Sequence, residues 1–152
     1  MQISSFSVTD NKGSKPLVII NESETSKNYC SFSGNYMVLP LNLLNVRTPI
    51  QKMLKKRNSD IIISRSYVDF DTLVYSVPKN YKFESIPTGT TVASAFGNYS
   101  WSVSATENKI VYIRKFSILQ GRYPSSSYKE LYDFFLSVSK ADNTKIMLTR
   151  KS

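Results

Sequence analysis

The sequence predicts a mainly β domain, an antiparallel immunoglobulin-like β-sandwich with one C-terminal amphipathic helix. Three observations carry that expectation. Period-two alternation of apolar and polar residues dominates the chain, the mark of strands with one covered face. Turn signals separate these runs at intervals of roughly 8–12 residues, too short for crossover helices between parallel strands. One stretch, Ser127 to Lys140, changes to helical period.

The elements follow in order. Ile3 to Thr9 reads as a first strand, and Pro16 to Ile20 as a second, joined through the Asn11-Lys12-Gly13 turn signal. Tyr36 to Leu39 is a third, entered through Gly34-Asn35. Leu41 to Asn58, entered from Pro40 and interrupted by Pro49, lacks a clean period, and reads as a long loop or edge crossing with a helical turn around Ile50 to Leu54. Asp60 to Val68 and Phe70 to Val77 read as two longer strands. In Ser100 to Ala105, Trp101, Val103 and Ala105 share one face and serines the other, so that strand is buried on one side. A turn at Glu107-Asn108-Lys109 leads into Ile110 to Phe116. Ile110, Tyr112 and Phe116 point one way there, and Val111 and Ile113 the other, as in a central strand covered on both faces. Pro124 and the following serines stop the sheet. Ser127 with Glu130 reads as a capping box, and Tyr128, Leu131, Tyr132, Phe135 and Val138 recur at helical spacing as the face that packs on the sheet. Lys140 near the helix end complements the dipole. Ile146 to Thr149 closes the chain as a short strand.

Composition bounds the chemistry. The 152 residues suit one domain, 1–152, with a core large enough to need no staples. There are 20 Lys and Arg against 11 Asp and Glu, a net charge of +9, which permits binding to nucleic acid, anionic lipid or acidic glycan. The chain has no histidine and one cysteine, Cys30. A cysteine nucleophile needs a base to form thiolate, and the usual one is missing. Cys30 reads instead as a small buried or half-buried thiol in a strand. A zinc cage lacks its ligands. Serine nucleophiles lack both motif and base; Ser137 to Lys140 fits Ser-x-x-Lys by letter only, at a helix end. Five glycines are scattered singly, so no phosphate loop forms, and no cofactor is expected. Asp69 and Asp71 share one strand face and could act as an acid/base pair or hold calcium; salt bridges are the commoner fate of such a pair. Tyr99, Trp101, Tyr112 and Tyr123 are candidates to stack a sugar or base, although the alternation assigns Trp101 to the core. Lys52, Lys55, Lys56 and Arg57 form a basic run without interleaved aromatics, a candidate polyanion contact or a solvated loop. No apolar run is long enough to span a membrane. The N-terminus has neither the basic nor the apolar region of a signal peptide, and strand-like sequence from the first residues reads as a domain excised from a longer protein.

Several short motifs, taken in their order, point to a family. Val77-Pro78-Lys79-Asn80-Tyr81, Ile86-Pro87 and Phe96-Gly97-Asn98-Tyr99 are followed by Ile110 to Phe116, Gly121-Arg122-Tyr123-Pro124, Tyr128, Phe134-Phe135 and Lys140-Ala141-Asp142. Gly34 to Asn42 and Arg57 fit upstream. Over roughly Met1 to Arg150 the chain resembles the C-terminal β domain, a domain of unknown function, of transglutaminase-like proteins of the Bacteroides group. The resemblance implies a periplasmic or cell-envelope parent whose catalytic Cys, His and Asp lie on a papain-type core outside this chain. It carries no catalytic residue onto these positions. Structural roles follow instead: Pro78 and Pro87 bracket an edge strand, Gly97 permits a tight turn or bulge, and Tyr123-Pro124 turns the chain into the helix. The expected function is a non-catalytic accessory domain whose partner is the transglutaminase-like core of the same polypeptide. The alternative is a glycan- or polyanion-binding module using Tyr99, Tyr123, Lys52, Lys55, Lys56 and Arg57, with nucleic acid a poorer fit. A hydrolase using Asp69 and Asp71 is the third reading.

Overall fold

A computed structural model describes residues 2–50, 53–54 and 57–151. Among them run β1 (Gln2–Asn11), β2 (Leu17–Thr25), β3 (Ser31–Ser33), β4 (Tyr36–Pro40), β5 (Ile61–Ile63), β6 (Tyr67–Ser76), β7 (Tyr81–Ser85), β8 (Thr90–Ser94), β9 (Gly97–Thr106), β10 (Lys109–Ile118), β11 (Gly121–Tyr123), α1 (Tyr128–Asp142) and β12 (Lys145–Arg150). The chain is mainly β, its registered strand pairs are antiparallel, and among the described residues the one α-helix is C-terminal. The fold separates into two compact units, Met1–Ser31 and Phe32–Ser152.

The first unit is the β1–β2 hairpin. Its turn is held by the Asn11 side chain, whose Oδ1 accepts from the Gly13 amide at 3.0 Å. The register shifts between Ile3 and Ser5, a bulge at Ser4. Without it Ile3 and Phe6, three apart, would face opposite ways. With it, Ile3, Phe6, Val8, Val18 and Ile20 share one face with Asp10, Glu22 and Glu24, while Leu17 and Ile19 lie with Ser5, Ser7, Asn21 and Ser23 on the other. The hairpin therefore exposes apolar side chains on both faces, interleaved with polar and acidic ones.

The second unit holds the core. One sheet has the order β6-β10-β9-β8, another β3-β4-β12-β7, and β11 pairs with β5. Short loops set the first sheet: Glu107-Asn108 joins β9 to β10, with Thr106 opposite Lys109, and Ala95-Phe96 joins β8 to β9, with Ser94 opposite Gly97. Gly97 has φ +156°, and a Cβ there would meet the Ser117 carbonyl oxygen at 2.0 Å, so only glycine lets β9 approach β10 at that end. The inner face carries Tyr99 and Trp101 from β9 and Ile110, Tyr112 and Phe116 from β10, all buried, with Phe134 and Val138 of α1 also buried. The Phe116 ring stacks on Phe134 at 6.1 Å and meets Phe135 at 6.3 Å. In the second sheet Met37 and Leu39 of β4 lie opposite Leu148 and Ile146 of β12, and all four are buried. Full burial of such a side chain contributes roughly 1.5–3 kcal/mol. β7 lies between Pro78 and Pro87 at the sheet edge, as the sequence indicates.

Several expectations are corrected. The break between the strands of the 60–77 region falls at Ser64–Ser66, not at Asp69, so β6 runs unbroken through both aspartates. The alternation of β6 is continuous through Asp69; the polar residues 64–66 end β5 instead. Ile50, Met53 and Leu54 form no helical turn, and Gln51 and Lys52 lie outside the described residues. Ser127 makes no capping hydrogen bond. A 3-10 turn, Ser125–Ser127, leads into α1, so Ser127 already has near-helical backbone and its hydroxyl is not aimed at an N3 amide. Glu130 instead accepts from the Ala95 amide at 3.1 Å, clamping the β8–β9 turn to the helix. The buried helix face is Tyr128, Phe134, Val138, Ser139 and Asp142, rotated from the anticipated stripe, with Leu131, Tyr132 and Phe135 half-buried. β10 is central in its sheet but covered on one face: Ile113 on the outer side is 38% exposed. Cys30 is half-buried just before β3 rather than within a strand, and burial raises its thiol pKa.

Candidate functional site

An arginine on the inner face of a sheet must bring its own counter-charge, because an unpaired buried ion is prohibitively costly. Arg114 alternates with Tyr112 and Phe116 on β10 and is fully buried. Its Nε donates to Asp142 Oδ1 at 2.8 Å, and one terminal nitrogen donates to Asp142 Oδ2 at 3.3 Å, a bidentate fork. The other terminal nitrogen donates to Asp71 Oδ2 at 2.8 Å. Asp142, the last residue of α1, is equally buried and receives two further bonds: the Tyr99 hydroxyl donates to Oδ1 at 2.8 Å and the Arg47 amide to Oδ2 at 2.9 Å. Asn45 Nδ2 donates to Asp71 Oδ1 at 2.6 Å. Arg47 pairs with Asp69 and lays its guanidinium over the Phe116 ring, 4.5 Å from the centroid.

Five segments thus converge on one ionic cluster: the loop after β4, then β6, β9, β10 and the end of α1. Burial opposes the Arg114 cation, but hydrogen bonds and charge from Asp142 and then Asp71 outweigh it and hold the guanidinium above its usual pKa. Burial, then hydrogen bonds to Tyr112 and Asp142, push the Tyr99 phenol well above its ordinary value, and burial also raises that of Tyr112. Among the described residues, Trp101 Nε1 is buried without a hydrogen-bond partner. Chemically the cluster is a clasp. Asp69 and Asp71 are each engaged by a guanidinium rather than standing as a free carboxylate pair, and among the described residues no group of three or more His, Cys, Asp or Glu is placed to hold a metal ion.

Among the described residues the candidates Tyr99, Tyr123 and Arg57 each engage different partners. Tyr99 is in the core, on the clasp. Tyr123 is half-buried with its ring 4.5 Å from that of Phe96, and its hydroxyl donates to the Leu119 carbonyl at 3.1 Å. Arg57 donates to the Ser59 and Asp60 carbonyls and sits over the Tyr128 ring. Lys52, Lys55 and Lys56 lie outside the described residues. Sequence reasoning missed Arg114, Asp142, Arg47 and Asn45. One signal was available for Arg114: its parity on β10 is that of Ile110, Tyr112 and Phe116, so an inner-face charge was demanding a partner.

The comparisons follow this architecture. Residues 35–148 match the model of the family described as a domain of unknown function with solved structure, DUF3858. No curated protein matches the chain. The fold is similar to a crystal structure described as that of a putative protease from Parabacteroides distasonis, with a TM-score of 0.60 and 12% identity over 76% of this chain. The match takes in 24% of that protein, so this chain spans only part of its length. With the family model covering most of the sequence and nearly all of the second unit, the chain belongs to the DUF3858 family.

Proposed function

We propose that this chain is a non-catalytic accessory domain that packs against and orients a transglutaminase-like, papain-type core of the same polypeptide in a bacterial cell-envelope protein. The observation that carries this is uncovered apolar surface with strand patterning. On the outer side of the β6-β10-β9-β8 sheet, Val74 of β6 lies opposite Val111 of β10 and Thr72 opposite Ile113, while Val68 and Phe70 lie opposite Ser117 and Lys115, and Phe70 is 64% exposed. Across the same face β9 presents Asn98, Ser100, Ser102 and Ser104. The apolar character is confined to one side of the sheet, the pattern of a face that a neighbour covers in part. The β1–β2 hairpin exposes further apolar side chains on both of its faces, and a two-stranded hairpin is marginal alone. The similar protein is about four times longer than the matched region, which supports a place in a larger polypeptide. In this reading the sandwich suggested by the sequence is completed by a sheet outside this chain. Hydrogen exchange decides it. Strand β6 is expected to exchange markedly more slowly in the longer polypeptide than in the 152-residue chain, and equal exchange would overturn the proposal.

A second reading, a glycan- or polyanion-binding module, is favoured by where the charge lies. Phe32–Ser152 carries 17 Lys and Arg against 8 Asp and Glu, and so the entire net +9. That reading predicts retention on heparin at low salt, weakening steeply as salt rises. Absence of retention on heparin and on a panel of acidic glycans at low salt would sink it.

A further inference from the structure

Between β5 and α1 lies an open groove of about 420 Å³, within the range of ligand clefts. Residues 61 to 65 line it consecutively, with Tyr67, Leu131 and Phe135 opposite. Consecutive lining is informative. Successive strand side chains point to opposite faces, so a groove touched by Ile61, Ile62 and Ile63 in turn meets β5 along its edge rather than on a face. β5 pairs only with β11 in its sheet, and no turn or loop backbone bond engages residues 61–65 among the described residues. Alternate N–H and C=O groups on that edge are therefore available to another chain. Ile62 is 71% exposed at this edge, an unusual cost for a β-branched residue with nothing to cover it. The groove also holds Arg65. Arg47, Arg57, Arg114 and Arg122 are all engaged by carboxylates or carbonyls, whereas the side chain of Arg65, like that of Arg150, has no hydrogen bond or ion pair among the described residues.

We infer that this groove binds an extended peptide by strand addition to β5, with an apolar side chain seated on Leu131 and Phe135 and a carboxylate paired with Arg65. An aliphatic acid would satisfy the apolar floor and the arginine but would leave the strand edge unused, so the peptide is the occupant the geometry favours. The inference goes beyond the accessory role and does not depend on it.

Fluorescence anisotropy on the 152-residue chain tests it. The probes are a fluorescein-labelled hexapeptide of alternating valine and serine with a free terminal carboxylate, its C-terminal amide, and a version N-methylated at alternate residues. The free acid is expected to bind, the amide about tenfold more weakly for loss of a charge-assisted contact, and the N-methylated peptide not measurably. Arg65→Gln, a change at an exposed side chain, should reduce the free acid to the affinity of the amide and leave the amide unchanged. Equal binding of acid and amide, indifference to Arg65→Gln, or full binding of the N-methylated peptide would overturn the inference. So would no binding of any peptide up to about 1 mM. Binding of dodecanoate without binding of the peptides would assign the groove to a lipid and overturn it as well.

Discussion

At the residue scale the chain's distinctive commitment is the Arg114 clasp. Removing one member of a buried pair strands the other as an uncompensated charge, at about 3–5 kcal/mol. Arg114→Met should therefore lower the urea-unfolding free energy by that order, since Asp142 is fully buried. The double variant Arg114→Met with Asp142→Leu removes both charges and should recover a substantial part of the loss; a double variant no better than the single one would contradict this account. The tyrosines give a pH signature. A phenol whose pKa is raised in the folded state stays neutral there while the unfolded chain ionises near pH 10. Their contribution is intact below that pH and is lost as pH rises above it. Stability measured by urea titration should be flat approaching pH 9, then fall by as much as about 1.4 kcal/mol per pH unit for each of Tyr99 and Tyr112. A flat profile through pH 11 would show that their phenols ionise as freely folded as unfolded.

At the element scale, the helix start and the β8–β9 turn separate local from tertiary causes. An N-cap serine is worth about 1 kcal/mol, yet Ser127 bonds no amide through its side chain. Ser127→Ala should change stability by no more than about 0.5 kcal/mol. Glu130→Ala should cost more, about 1 kcal/mol, because it releases the Ala95 amide. Thermal unfolding of the pair reads the difference directly, and the reverse order would restore the capping box. Gly97→Ala should be the most damaging change in this region, with a loss of about 2 kcal/mol or more. The added methyl would be driven into the Ser117 carbonyl, and the residue would be held at a φ that L side chains avoid.

At the scale of the whole molecule, surface that is wasteful in isolation is the feature to explain. Phe70→Ser on the outer face of β6 should leave the 152-residue chain within about 0.5 kcal/mol of the parent, since the ring is mostly exposed. The same change in the longer polypeptide should be clearly destabilising if a neighbouring sheet covers Phe70. Matching unfolding profiles in both settings would remove the support for a packed face. The family match and the structural similarity establish the fold of the second unit, and the charge of that unit keeps polyanion binding as a measurable alternative.

Much of this was legible in local patterning. Alternation placed β1, β2, β4, β9, β10 and β12, because a half-buried strand writes its period into the residues themselves. The α1 segment, the Gly97 turn and the proline-bracketed β7 were equally local. The boundary of β6, the orientation of α1 and the unused Ser127 cap were not. Each is decided by what packs alongside: Arg114 and Arg47 donate to Asp71 and Asp69 of one unbroken strand, and Glu130 serves the β8–β9 turn in place of its own helix. The sequence by itself determined a mainly β chain with one C-terminal helix, no histidine chemistry and a basic surface. Only the tertiary structure decided that residues 45, 47, 71, 99, 114 and 142 share one buried network. Nearly a hundred residues separate its first and last members, and no local propensity connects charges that meet only when the sheet and helix close over them.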